Sequence, residues 1–142
     1  MLNLLQADGI ESEGDQRVWH EIVREMKESI GFVSLDPAAE RSKAENGDEL
    51  HKEYSLPDGQ SITINAPRCA APEALFHPEQ IKDIGVPGMH KLLHESISSC
   101  DYGIRKGLLQ NVIVCGGSTL FPGLCERLEQ EVGALLPDAK SV

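Results

Sequence analysis

Aromatic side chains are scarce here: 142 residues contain one Trp, two Tyr and three Phe. Aromatics supply much of the buried area of an ordinary core, so this core must rest on aliphatic side chains. Basic residues are also in deficit, 13 Lys and Arg against 23 Asp and Glu, for a formal charge of −10. That balance argues against a phosphate-backbone surface and against attraction to anionic membranes, so neither nucleic acid nor membrane is expected as a direct partner. A nucleotide needs only a local site and is not barred. No apolar run reaches the roughly 18 residues of a membrane-spanning helix, and Met1–Leu5 is too short and lacks the basic start of a signal peptide. Cys69, Cys100, Cys115 and Cys125 show no C-x-x-C spacing. Three of them lie in apolar patterns, where a free thiol behaves as a small hydrophobe, and a reduced, intracellular setting is expected.

Several chemical signatures are missing as well. There is no G-x-S-x-G, no Walker lysine and no complete G-x-G-x-x-G. His90 and His94 have the i, i+4 spacing of a zinc pair, but Lys91 stands where H-E-x-x-H has its glutamate and no third ligand is evident, so both read as surface histidines. No metal site and no hydrolytic triad are expected.

The most informative stretch is Asn111 to Gly123, N-V-I-V-C-G-G-S-T-L-F-P-G. Apolar β-formers at Val112–Cys115 stop at Gly116-Gly117, and Pro122-Gly123 precede a helical pattern of Leu124, Cys125, Leu128, Val132, Leu135 and Leu136. The reading is a strand buried on both faces, a glycine corner, and a helix from about Pro122 to Leu136 opened by proline and closed by Pro137. Spacing alone leaves two roles open for the corner. It is a plain turn between strand and helix, or a side-chain-free backbone at a helix N-terminus that favours an anionic group.

Upstream, Met1–Leu5 reads as the tail of a helix. Gly14 and a capping Asp15 precede a helix that buries Trp19, Ile22, Val23, Met26 and Ile30, with Arg24, Lys27 and Glu28 on the opposite, ion-paired face. Gly31 ends it, and Phe32–Leu35 is extended. Asp36–Asp48 reads as a loop with one helical turn near Ala38–Ala44. Glu53–Leu56 and Gln60–Ile64 flank Pro57-Asp58-Gly59 as a β-hairpin. Ala66-Pro67 starts a loop, Pro72–Phe76 makes one or two helical turns stopped by Pro78, and Gln80–Gly88 is loop. Met89, Leu92, Leu93, Ser96, Ile97 and Cys100 mark a helix face, and Asp101 caps a shorter helix carrying Ile104 and Leu108.

Four of these stretches resemble signatures of the actins and actin-related proteins, in the family's order. Cys115–Gly123 resembles S-G-G-[ST]-T-M-[YF]-P-G. Glu21–Glu28 (E-I-V-R-E-M-K-E) is similar to E-I-V-R-D-I-K-E. Tyr54–Ile64 (Y-S-L-P-D-G-Q-S-I-T-I) is similar to Y-E-L-P-D-G-Q-V-I-T-I, and Pro72–Pro78 (P-E-A-L-F-H-P) to P-E-A-L-F-Q-P. The resemblance runs from about Met1 to Glu131 and covers well under half of the family's fold. It implies an α/β, actin-like ATPase fold (ribonuclease H-like), represented by the second large domain only. Residues 1–80 would be the subdomain-4-like lobe and 81–142 part of the subdomain-3-like lobe. Met1 aligns inside a family helix, which implies a fragment, a truncated gene model or a short product.

For function, the resemblance implies part of an ATP-binding, actin-like cytoskeletal protein of the cytoplasm. The alternatives are a nuclear actin-related scaffold subunit of a chromatin-remodelling complex and an inert truncated product. ATP or ADP is the implied cofactor. The implied partners are actin-like protomers, actin-binding proteins or chromatin-remodelling subunits. The E-I-V-R-D-I-K-E helix lies beside the adenosine in that family, so Arg24 and Lys27 would pack near the base and Glu28 would accept from a ribose hydroxyl. Gly116, Gly117, Leu120 and Phe121 would form the other wall, Leu120 keeping the family methionine's apolar contact and Phe121 lacking the tyrosine hydroxyl. The family's phosphate hairpins, cation-holding acids and water-positioning residues have no counterpart here, so the chain by itself is not expected to be an enzyme. Gln80-Ile81-Lys82-Asp83 is more polar than the family's apolar plug, which favours a divergent member.

Overall fold

Side-chain caps at Asp15 and Asp36 start two of the helices in the computed structural model, which describes residues 1–10, 15–46, 51–80 and 85–136. The element order is α1 (Leu2–Ala7), α2 (Gln16–Ile30), α3 (Pro37–Asn46), β1 (Lys52–Ser55), β2 (Ser61–Ile64), α4 (Pro67–Glu73), α5 (Met89–Ser98), α6 (Tyr102–Leu109) and α7 (Leu124–Leu135). Contacts divide the chain into two compact units, Met1–Glu73 and Ala74–Val142. Among the described residues no helix is long and apolar enough to cross a membrane. The expectations for Gly14, for the Gly47-Asp48 end of the loop, for Ile81–Asp83 and for Pro137 fall outside the described residues.

In the first unit Asp15 caps α2, its carboxylate accepting from the Arg17 N–H at 2.9 Å. Trp19, Val23 and Met26 turn inward and join Leu5 of α1 and Ile64 of β2 in one buried cluster. The hairpin is as expected. Lys52 pairs with Ile64 and Tyr54 with Ile62, and the turn is closed by Leu56 N–H to Gln60 O at 2.7 Å and by the Asp58 carboxylate on the Gln60 N–H at 2.9 Å. Gly59 adopts φ +88°, which glycine takes without a Cβ penalty. Exposure alternates along β2, with Ile64 fully inside.

Two helices of this unit differ from expectation. α3 is a full helix, not a loop with one turn. Asp36 accepts from the N–H groups of Ala38 and Ala39 at 3.1 and 3.0 Å, Pro37 sits in the first turn, and Glu40 pairs with Lys43 at 3.1 Å. α4 begins at Pro67, where a loop was expected, and ends at Glu73, so Pro72 lies inside the helix and Ala74–Phe76 form turns. Pro72 has no N–H for the Arg68 carbonyl, and that carbonyl accepts from the Phe32 N–H at 3.2 Å instead. Arg68 also donates to the Ile30 carbonyl at 3.1 Å and lies over the Phe32 ring, so a helix-breaking residue becomes the fastening for the exit from α2. Burial beside this joint pushes the Cys69 thiol up from its ordinary pKa.

The second unit packs α5 against α7 around Phe76, Ile97, Leu124, Leu128 and Val132. Asp101 stands at the start of α6 but makes no capping bond. Arg105 ties that junction, donating to the carbonyls of Cys100 and Ser98 at 2.9 and 2.7 Å. α7 starts at Leu124, with Pro122 outside it and Gly123 in the left-handed region as the preceding residue. Its inward face takes Arg127, while Cys125 is exposed. All four cysteines are free, but Cys115 and Cys125 are exposed, and Cys69 and Cys100 are half-buried.

The buried strand expected at Val112–Cys115 does not form. The segment has no regular secondary structure and no ladder partner among the described residues, and Ile113 is 88% exposed. A strand exists only against a neighbour, and composition alone supplies none. His90 is likewise not a surface residue. It is 3% exposed, and His94 is half-buried, 3.3 Å from the Ser98 hydroxyl.

Candidate functional site

The seven candidate residues fall in both units. On α2, Arg24, Lys27 and Glu28 occupy the side away from the Trp19–Val23–Met26 core, as the period of 3.6 requires. Arg24 and Glu28 are exposed and Lys27 is half-buried. Arg24 pairs with Glu21 at 2.6 Å, and both side chains are about two-thirds exposed (64% and 67%). An ion pair that open contributes little to stability, so the fold does not depend on this face.

In the second unit the corner is built from the backbone. Gly116 has φ +103°, and its carbonyl accepts from the Thr119 N–H at 3.1 Å and the Thr119 hydroxyl at 2.7 Å, closing a 3-10 turn over Gly117–Leu120. Gly116 is therefore explained by its conformation. Gly117 is not. Its φ lies outside the positive region, a Cβ there would meet nothing within 4 Å, and the residue is exposed. Next to it Leu120 is 83% exposed, an apolar side chain held in solvent, while Phe121 is half-buried. The arrangement offers an apolar contact beside a backbone that another molecule can approach closely.

The structure brings Arg24, Lys27 and Glu28 together on one helix face, and Gly116, Gly117, Leu120 and Phe121 together in one corner. It does not join the two groups within one unit. Among the described residues no group of three or more His, Cys, Asp or Glu could hold a metal ion. The sequence reading missed a cluster of Phe76, His77, His90, Arg127 and Glu131 in the second unit. It weighed His90 only against its helix neighbour His94, and no local pattern points across the chain to Phe76.

A family described as Actin matches residues 6–142 of this chain. The Dictyostelium discoideum protein named "Putative actin-29" is 39% identical over 123 residues, which make up 86% of this chain and 32% of that protein. The chain thus spans about a third of the length of that curated relative. Helices combined with a small sheet are compatible with the fold of such a family.

Proposed function

The chain belongs to the actin family, and from that premise we propose that it forms the adenosine-side wall of an ATP cleft within a longer actin-like cytoskeletal protein. In this reading its two units are parts of the second large domain of a ribonuclease H-like ATPase fold. Arg24 and Lys27 flank the base, Glu28 accepts from a ribose hydroxyl, and Gly116-Gly117 with Leu120 and Phe121 close the other side. The observation that carries the reading is Gly117 beside Leu120. Neither backbone conformation nor crowding calls for a glycine at 117, and folding does not call for an apolar residue at an 83% exposed site. Both make sense if a ligand covers the corner. A planar base is attracted to cations, and a vicinal diol pairs with a carboxylate. ATP or ADP is the fitting ligand, with the divalent cation held by other parts of the longer protein.

Glu28→Ala in that longer protein is the test. It should weaken ATP about tenfold more than 2′-deoxy-ATP, since a charge-assisted hydrogen bond contributes about 1.5–3 kcal/mol and only ATP has that hydroxyl to lose. Equal weakening of both nucleotides would remove Glu28 from the ribose.

Residues 1–142 by themselves do not, on this reading, hydrolyse ATP. Phosphoryl transfer depends on positioning and on charge stabilisation around the phosphates, and an adenosine wall binds ground state and transition state alike. Phosphate release by the purified chain should match buffer. Turnover above buffer that a Glu28→Ala, Gly117→Val double variant abolishes would overturn this.

A further inference from the structure

The second unit opens with a segment clamped from two helices. The Leu75 carbonyl accepts from the Met89 N–H at the head of α5, at 2.8 Å. The turn before α5 lies so close to the Phe76 carbonyl that a Cβ on Gly88 would fall 1.8 Å from its oxygen. The Phe76 ring, 0% exposed, stacks on the His90 imidazole with centroids 5.8 Å apart, and the Arg127 guanidinium of α7 lies 5.0 Å from its centroid. The His77 ring is tilted 5.7 Å from His90, and its Nδ1 lies 3.0 Å from the Glu79 carboxylate. His90 is a titratable ring in the middle of this packing, and its buried Nδ1 has no hydrogen-bond partner among the described residues.

We propose that His90 is a proton-operated latch: a neutral ring holds the Leu75–His77 segment against α5 and α7, and a protonated ring releases it.

The charges facing the ring decide the direction. Lys91 on its own helix, Arg127 on α7 and His77 on the clamped segment all oppose a positive imidazole. Glu131 on α7 favours one, but its carboxylate already accepts from Arg127 Nε at 2.7 Å. Glu79 is engaged by His77, whose hydrogen bond holds that carboxyl below its usual range. Burial is the largest influence on His90 and holds it below the ordinary histidine pKa, with Glu131 opposing that and His77, Lys91 and Arg127 adding to it. Protonation would also bring a second cation against the ring that Arg127 already covers. The sign follows from linkage. Above the ordinary histidine range the ring is neutral whether latched or released, and the latch is at full strength. As pH falls below that range the released state takes up a proton that the latched state refuses, and the latch weakens until the buried ring titrates too.

The test is hydrogen–deuterium exchange of the Leu75–His77 amides in the 142-residue chain between pH 7.5 and 5, corrected for intrinsic exchange, alongside NMR titration of the His90 ring. Protection should fall about tenfold per pH unit below about 6.5. His90→Phe keeps a ring on Phe76 without a titrating group and should make protection independent of pH, while His77→Gln should leave the pH dependence in place. The latch is refuted if His90 titrates at its ordinary value with protection unchanged, if His90→Phe keeps the wild-type dependence, or if His77→Gln abolishes it. Unprotected amides at pH 7.5 would refute it as well. If His90→Phe loses protection throughout the chain, the wild-type ring titration and the His77→Gln profile decide by the same criteria.

Discussion

Ser61–Ile64 and Val112–Cys115 are both short and rich in β-branched residues, and they end differently. The first is paired along its length with Lys52–Ser55 and delivers Ile64 into the core at 1% exposure. The second is the more apolar of the two, yet it has no ladder partner among the described residues and leaves Ile113 at 88% exposure. The turn at Pro57-Asp58-Gly59 separates them physically, because it folds a partner strand back within a few residues. Val112–Cys115 follows α6 and precedes the glycine corner, so no tight turn returns a strand to it. Strand propensity measures fit to a pleated surface, and the surface has to be supplied by another segment.

Three substitutions sharpen or break this comparison. Ile64→Ala should have the largest effect, about 2–5 kcal/mol, because it leaves a cavity among Leu5, Trp19, Val23 and Met26. Denaturant unfolding followed by the fluorescence of Trp19, the only tryptophan, measures it. Gly59→Ala comes next, at about 1–2 kcal/mol, since φ +88° forces a Cβ into the left-handed region although the space around it is open. A neutral result would show that the hairpin does not depend on its turn. Ile113→Ala should change stability by no more than about 0.5 kcal/mol, as expected of an exposed site. A cost like that of Ile64→Ala would mean that Ile113 is buried in solution, and the contrast between the two segments would fail.

What could be read from the sequence follows the range of the forces. The Asp15 cap, the inward face of α2, the hairpin turn and the existence of helices α5 and α7 depend on neighbours within a turn or a hairpin, and all are present, but α5 buries His90 and Ile97 and leaves Leu92 and Ser96 of its expected face exposed. α3 was missed because it has no apolar stripe, although Asp36-Pro37 is a sound helix start. The bounds of α4 depend on a carbonyl that Pro72 leaves unbonded and Phe32 claims from far along the chain. His90 is buried by Phe76 and by helix α7, which no window around His90 contains. For the candidate site, exposure of Arg24 and Glu28 followed from helix period alone. The separate explanations of Gly116 and Gly117 needed backbone angles, since the letters are the same.

The contact between Phe76 and Arg127 joins the opening of the second unit to its last helix, so it closes one of the longest loops within that unit. Loop closure must be met before such a contact can contribute, and Arg127 is only 2% exposed once it is made. α5 and α6 can form early from local contacts, whereas α7 can bury its arginine only after the chain has come round to Phe76. The folding order expected for the second unit is one in which its first and last parts are completed together.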